Sequence, residues 1–352
     1  MTMALNRAVR IGIVGLMYGR YGLLPGIVDR PDANVVALCA RRIEAAQELA
    51  RLHGIEQTYD DWRRMLDEAR LDMVMVAVDP ATSGPICEYA LQHGIAVFAE
   101  KLPSHDIECT RRLAKLAADA AVPSCIDYIF PELHTFRAAR ELIRAGELGN
   151  LRLVELDWIF ESYDHRNALQ TWKTDPAQGG GLLRHFLVHS LHYLEWLFGR
   201  IESVSGTLRP SAQRPQSDAH ATLLLETCSG VNISVVASNA LSYEQRHRLS
   251  VWGDRGFLRL SNCGTDPIWD FELSANAESA EPVLLKEKER MQLPAALDSR
   301  VEPSARLSAA LIERLRSGVK NDAPDLSAAL RAHELIEAIT ESNKNGRTIH
   351  VG

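Results

Sequence analysis

Through residue 127 the chain alternates short, continuously apolar runs with stretches of helical pattern, and this alternation is what most restricts its fold. The runs are Arg10–Val14, Asn34–Leu38, Asp72–Val78, Ile95–Ala99 and Val122–Ile126. Helix-like stretches at Ile43–His53, Thr82–His93 and Ile107–Ala120 separate them. Strands that are apolar at consecutive positions are covered on both faces, so the pattern predicts α/β architecture with a doubly wound parallel sheet of Rossmann type. After the helix-like Glu132–Ala145 and a Gly146-Glu-Leu-Gly149 turn the character changes. Strand patterns recur at Leu151–Phe160, Ala219–Glu226, Val231–Ser238, Arg248–Trp252 and Phe257–Leu260. The turns Ser229-Gly230 and Gly253-Asp-Arg-Gly256 lie between neighbours and point to antiparallel pairing. The expected domains are 1–127 and an α+β domain over 128–352 with a mostly antiparallel open sheet. Near the end, Leu326–Asn343 has apolar residues at helical spacing, and a helix over about 325–344 is expected to pack back on the first domain.

A chain of 352 residues with 46% apolar and 24% charged composition is long enough for two cores. Its net charge of −7 and scattered basic residues give no electrostatic footprint for nucleic acid or an anionic membrane, which leaves a small molecule as the expected partner. No run approaches the roughly 18 apolar residues of a membrane span, and Met1–Arg10 lacks the apolar segment of a signal peptide, so the expected location is cytoplasmic. Six cysteines, Cys39, Cys87, Cys109, Cys125, Cys228 and Cys263, lie far apart without a C-x-x-C step. They are read as mainly buried thiols, and no metal site is expected.

The first strand runs into Gly12-Ile-Val-Gly15-Leu-Met-Tyr-Gly19-Arg-Tyr-Gly22, with a helix-like Leu23–Val28 behind it. A glycine-bearing turn at a helix N-terminus gathers backbone amides that favour an anion such as a dinucleotide pyrophosphate. The G-x-G-x-x-G pattern is imperfect, since Met17 takes the second glycine position and Arg20 the third. Where the second strand ends, an NAD site places a carboxylate for the ribose 2′-hydroxyl, whereas this chain reads Cys39-Ala40-Arg41-Arg42. Two guanidinium groups there suit a 2′-phosphate, so NADP(H) is expected over NAD(H). A solvated helix face beginning at Arg41 and Arg42, with Glu44 nearby, is the plainer alternative.

Val97-Phe98-Ala99-Glu100-Lys101 puts an ammonium at the carboxyl end of a strand, the edge of an open parallel sheet that faces ligands. Further on, Trp172-Lys-Thr-Asp-Pro-Ala-Gln-Gly179-Gly180-Gly181 leads into a stretch carrying His185, His189 and His192 at steps of four and three, which predicts one histidine stripe. Leu183, Phe186, Leu187, Leu191 and Leu194 supply the opposite, apolar side. A histidine near a helix N-terminus is held neutral and can relay a proton. The zinc alternative lacks an H-E-x-x-H glutamate and a third ligand.

These features occur in a fixed order: Gly12–Gly22, Glu100-Lys101, Gly146–Gly149, Trp172–Gly181, His189, and an ending that includes Ala338-Ile-Thr-Glu-Ser342 and Gly346-Arg347. Over nearly its whole length the chain thereby resembles the glucose–fructose oxidoreductase and inositol dehydrogenase (Gfo/Idh/MocA) family. The resemblance implies a Rossmann domain, hydride transfer between a nicotinamide and a carbonyl or secondary alcohol of a sugar, cyclitol or related polyol, and a homodimer or homotetramer. The lysine of the family's Glu-Lys-Pro motif falls on Lys101, with Leu102 in place of the proline. Its Asp-x-x-x-His pair falls on His185 and His189, so the aspartate is missing. The implied catalytic set is Lys101, His189 and His185. The implied cofactor set is Gly15, Leu16, Met17, Tyr18, Gly19, Ala40, Arg41, Arg42, Val78, Asp79, Pro80, Ser83, Glu100 and Lys101. The substrate set adds Tyr128, Tyr163, Arg166, Trp172 and Lys173 to Lys101, His185 and His189. Two alternatives stand beside this reading. The Tyr18-Gly19 step is similar to thiazolinyl imine reductase relatives, which would make the chain an imine reductase, although those relatives lack the lysine. The altered glycine loop would also suit a non-enzymatic dinucleotide-binding regulator.

Overall fold

The computed structural model describes residues 7–278, 280–290, 292–294 and 297–352; of the Met1–Arg10 segment read above for a leader, Met1–Asn6 lie outside the described residues. In chain order the elements are β1 (Val9–Val14), β2 (Ala33–Cys39), α1 (Ile43–His53), β3 (Gln57–Tyr59), α2 (Trp62–Glu68), β4 (Met73–Val76), α3 (Pro80–Gln92), β5 (Ala96–Ala99), α4 (Ile107–Ala120) and β6 (Ser124–Ile126). There follow α5 (His134–Arg144), β7 (Leu151–Ile159), α6 (Tyr163–Arg166), α7 (Val188–Phe198), β8 (Ile201–Ser211), β9 (Arg214–Thr227), β10 (Asn232–Ser238), β11 (Arg246–Gly253), β12 (Gly256–Asn262), β13 (Glu272–Ala277), β14 (Ala280–Lys286), α8 (Val301–Ser317), α9 (Leu326–Asn345) and β15 (Ile349–His350). The chain divides into two compact units. One comprises 1–129 with 293–331, the other 130–292 with 332–352, so residues 293–331, expected in the second domain, cluster with the first.

Among the described residues, the first unit carries a six-stranded sheet of order β3-β2-β1-β4-β5-β6, whose pairs are all parallel. The apolar runs of β4 and β5 are buried at every position, which is why they read as uninterrupted rather than alternating. Helix entry is set by aspartates. Asp61, Asp79 and Asp106 accept hydrogen bonds from the first-turn amides of α2, α3 and α4, respectively. The helix expected at Leu23–Val28 takes another form, a π-helical turn over Gly19–Leu23 followed by a 3₁₀ turn over Leu24–Gly26. Pro25 has no amide hydrogen to donate and its ring clashes with the preceding turn, so an α-helix does not pass through it. Cys39 and Cys125 are buried in β2 and β6, and burial pushes the Cys39 thiol up to about 12.

The second unit carries, among the described residues, a nine-stranded sheet of order β14-β13-β12-β11-β7-β10-β9-β8-β15. Its pairs are antiparallel except β7 with β10, which run parallel. One face packs on an aromatic cluster centred on Phe130, whose ring lies 5.5 Å from Phe136, 6.0 Å from Trp158, 5.6 Å from Tyr193 and 5.9 Å from Phe271. Largely edge-to-face geometry of this kind adds to the burial of large apolar area. The cluster holds α5 in place, and a distant carboxylate caps it: Glu287 accepts from the amides of His134 (3.0 Å) and Thr135 (2.9 Å) and from the Thr135 hydroxyl (3.0 Å). Among the described residues no helix is long and apolar enough to cross a membrane. Glu287→Ala leaves buried helix-end amides without their acceptor and is expected to lower stability by about 1–3 kcal/mol in urea unfolding; an unchanged midpoint would show that the cap contributes nothing.

Candidate functional site

Within the first unit the candidate residues share one edge. β1, β2, β4 and β5 end at Val14, Cys39, Val76 and Ala99, and Gly15–Gly19, Ala40–Arg42, Val78–Pro80 and Glu100–Lys101 follow those ends. This is the carboxyl edge, where open parallel sheets bind ligands. Gly15 has φ +91°, and a side chain on it would meet the Ala77 carbonyl at 2.4 Å and Val78 Cγ1 at 2.7 Å, so the turn from β1 requires glycine. Met17, at the second glycine position, points outward with 82% exposure. Arg41 and Arg42 are both exposed beyond β2, and no carboxylate stands at 40–42. Asp79 spends its carboxylate on the Thr82 amide and hydroxyl, each at 2.9 Å. Pro80 opens α3. Ser83 is buried in that helix, its hydroxyl 3.6 Å from Cys87 Sγ. Lys101 is 8% exposed and is joined to Leu102 by a cis peptide bond. Tyr128, expected to meet substrate, is fully enclosed in the core.

A buried polar network, with no signal in the sequence reading, organises this edge. Asp127 follows β6 as Glu100 follows β5, and its carboxyl accepts from the Ser304 hydroxyl of α8 at 2.9 and 3.0 Å. Ser304 Oγ is 2.9 Å from the Tyr18 hydroxyl, and Arg300 stacks on the Tyr18 ring at 4.7 Å. Asp127 also hydrogen-bonds the Glu100 side chain. Burial, then the neighbouring Glu100 charge, raises the Asp127 carboxyl well above the usual range, while the hydrogen bond from Ser304 opposes this. Burial and the same two carboxylates push the Tyr18 phenol up. Tyr18 therefore turns its hydroxyl inward. The signal that could have found Asp127 is the rule applied to Lys101, that a polar residue directly after a buried parallel strand sits at the ligand edge.

In the second unit the histidines do not form the single stripe expected. Leu183–Leu187 is a π-helical turn and α7 begins only at Val188, so four residues fall short of a full turn between His185 and His189. The His185 ring meets Trp172 edge-on at 5.1 Å and Phe186 at 4.5 Å, whereas the buried His189 ring meets Phe130 at 5.4 Å. Burial lowers His192 to about 3. Asp218 of β9 fixes the entry to this helix by accepting from the Leu183 amide at 2.7 Å. A side chain on Gly181 (φ +104°) would strike Asp218 Oδ1 at 2.2 Å, so the glycine run is what lets this carboxylate approach. Burial raises Asp218, and the backbone hydrogen bond of Leu183 works against that shift. Arg184 anchors the same turn to α9 through Glu337 at 2.7 Å and His333 at 3.2 Å. Trp172 is thus brought to His185. Lys173 is exposed, Tyr163 is 71% exposed on α6, and Arg166 is paired with Glu161 at 3.1 Å.

Residues 9–128 match the oxidoreductase family with an NAD-binding Rossmann fold, and residues 136–259 match the GFO/IDH/MocA C-terminal domain. The chain belongs to the Gfo/Idh/MocA family of oxidoreductases. It is 25% identical over 349 residues to dTDP-3,4-didehydro-2,6-dideoxy-alpha-D-glucose 3-reductase of Streptomyces violaceoruber, covering 96% of each chain. It is 24% identical over 262 residues to inositol 2-dehydrogenase of Rhizobium meliloti, covering 72% of this chain and 76% of that one. In fold it matches a crystal structure of an oxidoreductase from Agrobacterium radiobacter in complex with NAD+, L-tartaric acid and magnesium, with TM-score 0.85, 16% identity and coverage of 97% and 98%. The carboxyl-edge residues, with Gly15 in the only conformation its turn admits, fit such a dinucleotide.

A buried carboxyl whose proton is retained in the folded state carries a pH signature. With its folded value raised, Asp127 binds more protons folded than unfolded, so stability falls as pH rises above the ordinary carboxylate range. Asp127→Asn removes this dependence while keeping the shape and a hydrogen-bond donor for Glu100. Urea unfolding at pH 5 and pH 8 should show wild type losing stability relative to the variant at the higher pH; a pH-independent difference would contradict the shift.

Proposed function

We propose that the protein is an NADP(H)-dependent oxidoreductase acting on a carbonyl or secondary alcohol of a sugar, cyclitol or related polyol. The observation that carries this reading is the buried Lys101, the second residue beyond β5, at the same sheet edge as the exposed Arg41 and Arg42. The relatives named for a dTDP-sugar reduction and an inositol dehydrogenation support the substrate class. When bound, the nicotinamide supplies or accepts the hydride. Gly15–Gly19 hold the pyrophosphate with backbone amides, and Arg41 and Arg42 bind the 2′-phosphate as a guanidinium pair. The Lys101 ammonium polarises the substrate oxygen, on which negative charge grows during reduction, and His189 moves the proton to or from that oxygen. His185 orients His189 or binds a neighbouring hydroxyl. Trp172 offers an aromatic face to sugar C–H groups, with Tyr163, Arg166 and Lys173 completing the substrate set. The same reading makes the chain a homodimer or homotetramer through the outer sheet face, where Leu153, Leu224 and Val236 are exposed.

Lys101→Met and His189→Ala should each lower kcat by about 10²–10⁴-fold with an identified polyol or keto-sugar. Near-normal turnover in both would remove the assignment. Arg41→Asp is expected to raise KM for NADPH far more than for NADH, and an equal effect on the two cofactors would take away the 2′-phosphate role.

A further inference from the structure

Within the second unit, the loop 170–178, the turn joining β8 to β9 and the start of β9 border an open cavity of about 710 Å³, a volume in the range of small-ligand sites, roughly 300–1,000 Å³. Its chemistry is narrow. Four carboxamides line it, Gln170 and Gln178 from the loop, Gln213 from the turn and Gln216 from the start of β9, together with the Trp172 indole. A carboxamide both donates and accepts, as does a sugar hydroxyl, so several amides around one cavity suit vicinal diols. An indole supplies the flat apolar surface that the C–H face of a pyranose covers.

The two charged groups of the lining both make hydrogen bonds within its walls. Arg214 donates through Nη2 to the Asp164 carbonyl at 2.8 Å and also to the Leu169 carbonyl, and it thereby ties the turn to the loop. The Asp175 carboxylate accepts from the Ala177 amide at 3.0 Å and from Gln178 Nε2 at 2.8 Å. A diphosphate entering this cavity would meet a single cation, whose Nη2 is turned to backbone carbonyls while its Nε is buried without a partner, and a carboxylate opposing it. A neutral polyhydroxyl ligand meets no such conflict. The walls are also fixed before any ligand arrives: Thr171 Oγ1 donates to Asp164 Oδ1 at 3.1 Å, the Gly181 amide donates to the Lys173 carbonyl at 2.9 Å, and Asp218 holds Leu183 at 2.7 Å. Preorganisation of this kind lowers the cost of ordering on binding.

Trp172 belongs both to this cavity and to the histidine turn, where its ring meets that of His185 at 5.1 Å. A ligand lying against Trp172 is therefore one aromatic ring away from His185. We propose that the cavity is a saccharide subsite, and that the substrate is a neutral glycoside of at least two rings, one of which occupies the glutamine-lined cavity beside the His185 turn. This rests on the reading of His189 as the group serving a sugar alcohol, and it narrows that reading from polyols in general to glycosides.

Equilibrium binding separates the two readings because it needs no turnover. Calorimetry with NADPH present would compare glucose with maltose, cellobiose and maltotriose, and with UDP-glucose as the charged control. At least one neutral oligosaccharide should bind ten-fold or more tightly than glucose. Gln213→Ala and Gln216→Ala, each with an unchanged thermal melting point, should each lower the ratio of oligosaccharide to glucose affinity toward one. The subsite is overturned if no oligosaccharide exceeds glucose ten-fold, if both variants leave the ratio unchanged, or if UDP-glucose is the tightest ligand and its affinity depends on the two glutamines. Loss of activity without loss of the ratio would count against the His189 reading alone.

Discussion

The first unit depends on the hydrogen-bonded carboxyl of Asp127. Four segments far apart in sequence converge on it: the glycine loop through Tyr18, the end of β5 through Glu100, the end of β6 through Asp127 itself, and α8 through Ser304. Asp127 is buried beside the half-buried Glu100, and burial together with the Glu100 charge holds its carboxyl well above the usual range while the Ser304 hydroxyl donates to it. Lys101 is the next residue after Glu100, so the ammonium at the end of β5 stands one residue from this network.

The second unit solves a related problem with one carboxylate. Asp218 meets the start of the histidine turn, and the glycines before it leave room for that approach. Farther along, Phe130 and its aromatic neighbours fix the ring of His189, while His247 stacks on Trp158 at 4.2 Å and meets the Tyr193 hydroxyl at 2.9 Å. Burial lowers His247 to about 3, so it stays neutral as a packing and hydrogen-bonding group. The histidines of this unit thus divide by surroundings rather than by type. His247 belongs to the aromatic core, and His185 lies half-buried against Trp172.

What the sequence disclosed follows from the range of the forces involved. β1, β2, β4 and β5 and the helices α1 and α4 were legible because burial on both faces of a strand, or apolar residues at helical spacing such as Ala46, Leu49 and Ala50 in α1, leaves a local pattern. β3 and α2 are short and partly polar and left none. β13, β14 and α8 also passed unseen, the last because its buried face includes Pro303, Ser304 and Ser308 beside Leu307 and Leu311 and so breaks the apolar periodicity. The π turn at Leu183–Leu187 could not be read from steps of three and four, which presuppose an α-helix. Ser304 lies 177 residues from Asp127, and no spacing rule spans that distance.

The departures from the family pattern share a physical direction. Met17 replaces a glycine at the phosphate loop, and Tyr18 beside it turns its hydroxyl toward Ser304 and Asp127, so the loop is braced from within. His185 stands where the family resemblance leads one to expect a carboxylate, and its ring is taken up by Trp172 and Phe186. A carboxylate at 185 would bring a desolvated charge against two aromatic rings, which imidazole does not. With an imidazole there, Trp172 meets the turn through ring contact and also lines the glutamine-bearing cavity, so a single indole links the histidine turn to that surface.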